Sequence, residues 1–207
     1  MQFLPFGTVY GTLLNFRGEL DLLGAQMHQP PYKAPPVAPV LYVKTANTWT
    51  PHGRPIALPA RVPEVEVGAT IGMVMGGPDS VASYVLLNDL CIPHASFFRP
   101  PVRFRCVDGF LGVGATPVAA SLAVDPGLFT LSVSINGQTC QHMDFSGLAR
   151  DAHRLLADVS EFMTLRAGDV LTLGSDTGRP LARAGDRIDI HATGFETLSN
   201  TLVAEVP

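Results

Sequence analysis

At 207 residues, with 46% hydrophobic and 15% charged side chains, the chain has material for one ordinary core without disulfide or metal staples, and disorder is excluded. A formal net charge of −4 offers no basic face of the kind nucleic acid demands, although a few arginines can still be focused in one cleft. Three cysteines without CxxC spacing (Cys91, Cys106, Cys140) carry no zinc signature and read as reduced, buried thiols.

The first strand is expected over Phe6 to Leu14, and Leu20, Leu22 and Leu23 suit a short helix. Five prolines between Pro30 and Pro39 then enforce an extended loop. Val40–Lys44 and Ile56–Leu58 read as short strands. From Glu64 to Met75 the chain alternates charged and apolar residues at first, placing Glu64 and Glu66 on one face, and is apolar afterwards, as in a buried strand. Gly76 to Ser80 is a turn, and Val81 to Leu87 returns as a strand that ends on Asn88-Asp89. Phe129 to Ile135 alternates cleanly and leads into Asn136-Gly137, the strongest hairpin signal present. One main helix is predicted over about 146–163. Leu148, Ala152, Leu155, Leu156, Val159 and Met163 form its apolar face, with Arg150, Asp151, Arg154, Asp158 and Glu161 opposite. A last hairpin closes the chain between Ala192 and Val203. Eighteen prolines and many short strands predict a mostly β (α+β) fold of mixed, curved sheets in a single domain, 1–207. The amino terminus lacks a signal-peptide pattern, and no apolar run approaches the ~18 residues of a membrane helix, so a cytoplasmic protein without membrane contact is expected.

The chemistry concentrates between Tyr84 and Gly109. Asp89 at a strand end, followed by Arg99, Arg103 and Arg105, suits a metal ion or an acidic small molecule. On pattern alone it better suits an ordinary Asn/Asp strand cap followed by a solvated basic loop. Glu64 and Glu66, about 6.6 Å apart on one face, can embrace a hard divalent cation with Asp89 or simply mark a solvated strand entry. No glycine-rich phosphate loop, HExxH or GxSxG motif is present, and the histidines are scattered.

Several phrases resemble the fumarylacetoacetate hydrolase family: Leu156 to Gly174, Tyr84 to Asp89, Phe98-Arg99-Pro100, and Ala184 to Ile190. Tyr32 to Pro36 and the run from Phe98 to Phe110 are similar, within that family, to the amino-terminal half of isomerase/decarboxylases of homoprotocatechuate (4-hydroxyphenylacetate) degradation. Here that half is expected as a free-standing subunit. The resemblance implies curved mixed sheets of that family's type and a small-molecule 2-oxo acid as ligand. It also implies a Mg²⁺, Mn²⁺ or Ca²⁺ ion held by an ExE pair and the aspartate of the Asn-Asp phrase, acting as a Lewis acid.

Asp89 matches that aspartate, Lys44 matches a lysine ending the preceding strand, and Arg105 stands where a lysine is usual. The ExE positions, however, hold Gly68 and Thr70, while Glu64 and Glu66 lie four residues earlier, about 13 Å along a strand. The family's histidine after the first strand is missing, and Glu19 stands near its place. The resemblance thus makes Lys44 and Glu19 the expected catalytic residues and Arg99, Arg103 and Arg105 the expected grip on a distal carboxylate. Asp89, with Glu64 and Glu66, is the expected metal set, and the cation is lost if that set fails.

Three activities follow from the resemblance. The first is a subunit of a decarboxylase/isomerase of aromatic catabolism acting on a 2-oxo (2-hydroxy-diene) di- or tricarboxylate. Its reactions would be 5-oxopent-3-ene-1,2,5-tricarboxylate decarboxylation and 2-hydroxyhepta-2,4-diene-1,7-dioate isomerisation. The second is a degenerate, non-catalytic half that stabilises a metal-binding sister subunit. An acylpyruvate-type hydrolase is the third, disfavoured by the missing histidine. A homo-oligomer, or a hetero-oligomer with a sister subunit, is expected in each case.

Overall fold

The computed structural model describes residues 2–94 and 101–205. Its strands in the first half are β1 (Val9–Leu13), β2 (Val40–Lys44), β3 (Trp49–Pro51), β4 (Ile56–Leu58), β5 (Val65–Gly77), β6 (Ser80–Cys91) and β7 (Leu111–Val113). Those of the second half are β8 (Val118–Ala119), β9 (Thr130–Ile135), β10 (Gln138–Asp144), β11 (Val170–Thr172), β12 (Leu181–Ala182), β13 (Arg187–Ala192) and β14 (Leu198–Ala204). The α-helices are α1 (Arg17–Leu23), α2 (Val102–Arg105) and α3 (Ala152–Ser160). One sheet runs β2-β1-β11-β5-β6-β7-β3, with β12 added to β5 and β8 to β6, and the other runs β10-β9-β13-β14-β4. Parallel pairs (β1 with β11, β3 with β7, β4 with β14) sit among antiparallel ones, so both sheets are mixed, as expected.

Strand β5 explains its own sequence. Val65, Val67, Ala69, Ile71 and Met73 enter the main core with Leu86 and Leu90 of β6. Val133, Ile188, Ile190 and Leu202 of the second sheet and Leu155 and Val159 of α3 complete that core. Val74 points the other way, into a second cluster with Val9, Val85, Leu87, Leu111, Val113 and Val170. Full burial of one such side chain contributes about 1.5–3 kcal/mol, and a slip by one residue would push Glu66 into the main core, so register is strongly fixed. The β9–β10 hairpin turns at Asn136 (φ 53°) and Gly137 (φ 81°), the left-handed pair that an Asn-Gly turn supplies.

Three local expectations are corrected. Strand β6 does not end on Asn88-Asp89 but continues to Cys91, because β5 and β7 flank it there and sheet pairing overrides the turn preference of Asn and Asp. The main helix is the central nine residues of the predicted segment. Asp151 caps it by accepting from the Arg154 backbone N–H at 2.7 Å, and residues 145–147 form a separate 3₁₀ turn. Of the cysteines only Cys91 is buried; Cys106 is partly buried and Cys140 exposed, all three being free thiols.

Candidate functional site

The extension of β6 sets Asp89 inside the sheet, opposite Gly68 of β5 on one side and Leu111 of β7 on the other. It is 1% exposed. Strand β2 alternates so that Tyr42 and Lys44 share one face, and that face brings both side chains to Asp89. Lys44 Nζ lies 2.8 Å from Asp89 Oδ1, and Arg105 Nη1, delivered by α2, lies 3.0 Å from Oδ2. The Tyr42 hydroxyl also donates to Oδ2. The Arg105 guanidinium stacks 4.4 Å above the Tyr42 ring, a cation–π contact made in a desolvated place. Beneath the ring lies Gly11, where an added Cβ would fall 1.9 Å from Tyr42 Cζ, so the ring occupies the room of a side chain. Lys44 Nζ donates further to the carbonyls of Leu90 (3.2 Å), Phe110 (2.8 Å) and Arg105.

These groups fix one another's charge. Burial alone raises a carboxyl, yet Lys44 and Arg105 outweigh it and hold Asp89 below its ordinary value, so it stays ionised. Burial lowers Lys44, with Asp89 opposing the fall. Desolvation likewise works against the Arg105 charge, but the ionised Asp89 beside it opposes that loss. The Tyr42 phenol is raised well above its usual range, first by burial and then by Asp89, and stays a neutral donor.

A second polar region lies beside this one. Phe16, fully buried against Phe145, anchors the start of α1, and the helix then turns Glu19 inward until it is 4% exposed. Arg179, from the segment between β11 and β12, reaches Glu19 Oε1 at 3.4 Å and Glu66 Oε2 at 3.6 Å. Both distances are long for an ion pair, and Glu19 Oε2 meets no hydrogen-bond partner. A cavity of about 240 Å³ opens here, lined by Glu19, Leu22, Leu23, Glu66, Thr177 and Arg179. Burial pushes the Glu19 carboxyl up to about 7 against the pull of Arg179 and Arg105.

The structure therefore gathers Lys44, Asp89 and Arg105 in one centre, and Glu19 and Glu66 in the neighbouring one. Glu64 stands apart in a surface pair with Arg183 at 2.9 Å, and Arg103 is exposed on α2. Arg99 lies outside the described residues. Sequence reasoning passed over Tyr42 and Arg179. The alternation Val40-Leu-Tyr-Val-Lys44 already put Tyr42 on the face of Lys44, whereas nothing near Arg179 marked it.

The donor set does not fit a divalent cation. Both oxygens of Asp89 are engaged by cationic groups at contact distance. Across from it, Gly68 has no side chain, and the Thr70 hydroxyl is spent on the carbonyl of Gly174 at 2.5 Å. Glu64 and Glu66 are drawn to two different arginines. Among the described residues no three His, Cys, Asp or Glu side chains come together as a metal-holding group, and no helix is long and apolar enough to cross a membrane.

The sequence matches the fumarylacetoacetate (FAA) hydrolase C-terminal family over residues 8–203. It is 38% identical to the 4-hydroxyphenylacetate degradation bifunctional isomerase/decarboxylase of Salmonella dublin, over 96% of this chain and 48% of that protein. The homoprotocatechuate catabolism bifunctional isomerase/decarboxylase of Escherichia coli is 35% identical over the same shares. The chain thus spans about half the length of these relatives. Among solved structures, 5-carboxymethyl-2-hydroxymuconate delta-isomerase from Mycobacterium smegmatis superposes with a TM-score of 0.78 at 25% identity, covering 97% of this chain and 80% of that one. Fumarylpyruvate hydrolase from Pseudomonas aeruginosa, solved with Mn²⁺ and pyruvate, shares the fold with a TM-score of 0.81 at 21% identity, covering 96% and 90%.

Proposed function

Because this chain belongs to the fumarylacetoacetate hydrolase family, we propose that it is a single-domain half of a two-part isomerase/decarboxylase acting on a 2-oxo (2-hydroxy-diene) di- or tricarboxylate in aromatic catabolism. The observation that carries this reading is the 35–38% identity with such bifunctional proteins along 96% of this chain but about half of theirs. Isomerisation of this class moves a proton from an enol oxygen to a carbon. A carboxyl poised at about 7 in a cavity can accept and donate that proton near neutrality, which is the role we assign to Glu19. Arg179, loosely held by two glutamates, is the cation lining that cavity and takes a substrate carboxylate.

One observation favours a second reading, the non-catalytic stabilising half. The Asp89 centre is saturated by the chain's own cations, so metal chemistry in the pair falls to the other half.

The test is to assay the chain alone, then mixed with the separately purified other half of a bifunctional relative. Turnover confined to the mixture, with a loss of about 100-fold or more in kcat for Glu19→Gln, supports catalysis in the cavity. An unchanged kcat for that variant in an active mixture leaves the stabilising role. Absence of turnover in every mixture overturns the assignment to this reaction class.

A further inference from the structure

We infer that Lys44 and Arg105 take the counter-charge role of a divalent ion at Asp89, which makes this a metal-independent centre with Lys44 as its tethered cation. The inference goes beyond the isomerase/decarboxylase reading and does not depend on it.

The geometry of Lys44 is that of a bound ion. Its Nζ sits among four oxygens, Asp89 Oδ1 at 2.8 Å and the carbonyls of Leu90, Phe110 and Arg105, contributed by β6 and the segment that follows it. An ammonium has three protons, so four acceptors satisfy it fully. Together Lys44 and Arg105 supply two positive charges to the cluster, the formal charge of a divalent ion, on two separate stems.

The backbone carries the same message. At Gly68 an added Cβ would meet the carbonyl oxygen of Asp89 at 2.6 Å, closer than side chains tolerate. The neighbour is main chain in a buried sheet, so it cannot swing aside as a flexible side chain would. A metal-binding side chain therefore cannot be placed opposite Asp89 by a single substitution. Both the charge and the room of a metal site have been given to protein atoms.

If the ammonium acts as a tethered ion, cutting its stem leaves an oxygen-lined hole that an external cation can refill. Lys44→Ala is expected to lower Tm by on the order of 10 °C, and added ammonium or methylammonium chloride should restore part of that loss. Lys44→Met fills the same space without charge and should gain nothing from either salt beyond the sodium chloride control. In equilibrium dialysis, wild-type chain should take up no stoichiometric Mn²⁺ up to about 1 mM, the weak end of oxygen-ligand sites, and its Tm should be the same in EDTA and in Mn²⁺.

One Mn²⁺ per chain in the wild type, lost in Asp89→Asn, would overturn the inference. So would a Lys44→Ala variant that folds yet responds to ammonium no more than Lys44→Met does. Should Lys44→Ala fail to fold, the wild-type arms decide. No Mn²⁺ uptake and an indifferent Tm sustain the inference, and a saturating rise in Tm with Mn²⁺ ends it. No arm reads turnover, so failure here is distinct from failure of the functional assignment.

Discussion

The Asp89 centre and the Glu19 cavity are neighbours built from the same residue types, and they are opposites. At Asp89 the carboxylate has a close cation on each oxygen and a phenol besides. At Glu19 the carboxyl has a distant guanidinium and the Leu14 backbone for partners, and its Oε2 lacks a hydrogen bond. The first arrangement suits a structural joint, since each carboxylate oxygen is matched by a close cation. The second keeps a polar atom waiting in a cavity, at a cost in folding free energy that only function explains. Burial is nearly equal in the two, so burial alone does not distinguish a joint from a site; completeness of pairing does.

The contrast can be broken experimentally. Asp89→Asn should have the largest effect, because it leaves two buried cations facing a neutral amide. A loss of about 3–5 kcal/mol is expected, read as a fall in the urea midpoint or in Tm. Glu19→Gln should act in the opposite direction. The native Glu19 carboxyl titrates at about 7 and its ordinary value is 4.5, so the folded state keeps a proton that the unfolded chain has already lost. Wild-type stability therefore declines as pH rises from about 4.5 through about 7. The Gln variant should stay flat over that window and exceed wild type at pH 8 by about 1–3 kcal/mol in denaturant titrations. An equal pH slope in both proteins would sink the argument.

Smaller effects sharpen the same distinction. Tyr42→Phe removes one donor to Asp89 but leaves both cations, and calorimetry should find a loss of about 1–2 kcal/mol. Glu64→Ala cuts a pair whose arginine is largely exposed, so unfolding should shift by no more than about 0.5 kcal/mol. A larger effect would mean that Glu64 belongs to the site after all.

Most of the sheet was legible from residue order, and the limits have physical causes. The apolar run after Glu66 and the Asn136-Gly137 turn fixed their elements by parity and backbone preference, both local properties. Asn88 and Asp89 misled because their turn preference is weaker than pairing on both sides of β6. The helix was drawn too long because Leu148 and Met163 keep the apolar spacing beyond the helix ends. Asp151, a strong capping residue immediately before Ala152, was the better local guide. At the site, the fold brings Lys44, Asp89 and Arg105 together, and periodicity cannot reveal that they neutralise one another. Arg179 was invisible because its partners lie at positions 19 and 66, reached only through the folded sheet.

The wide spacing of Lys44, Asp89 and Arg105 along the chain also bears on the order of folding. Strands β5 and β6 form a hairpin of neighbouring segments, which closes early at little entropic cost. Asp89 is near the end of that hairpin and remains hydrated until β2, 45 residues upstream, has docked. This order predicts that the tethered cation docks after the rate-limiting barrier. Lys44→Met should leave refolding rates nearly unchanged and accelerate unfolding, so the centre works as a latch on the finished structure.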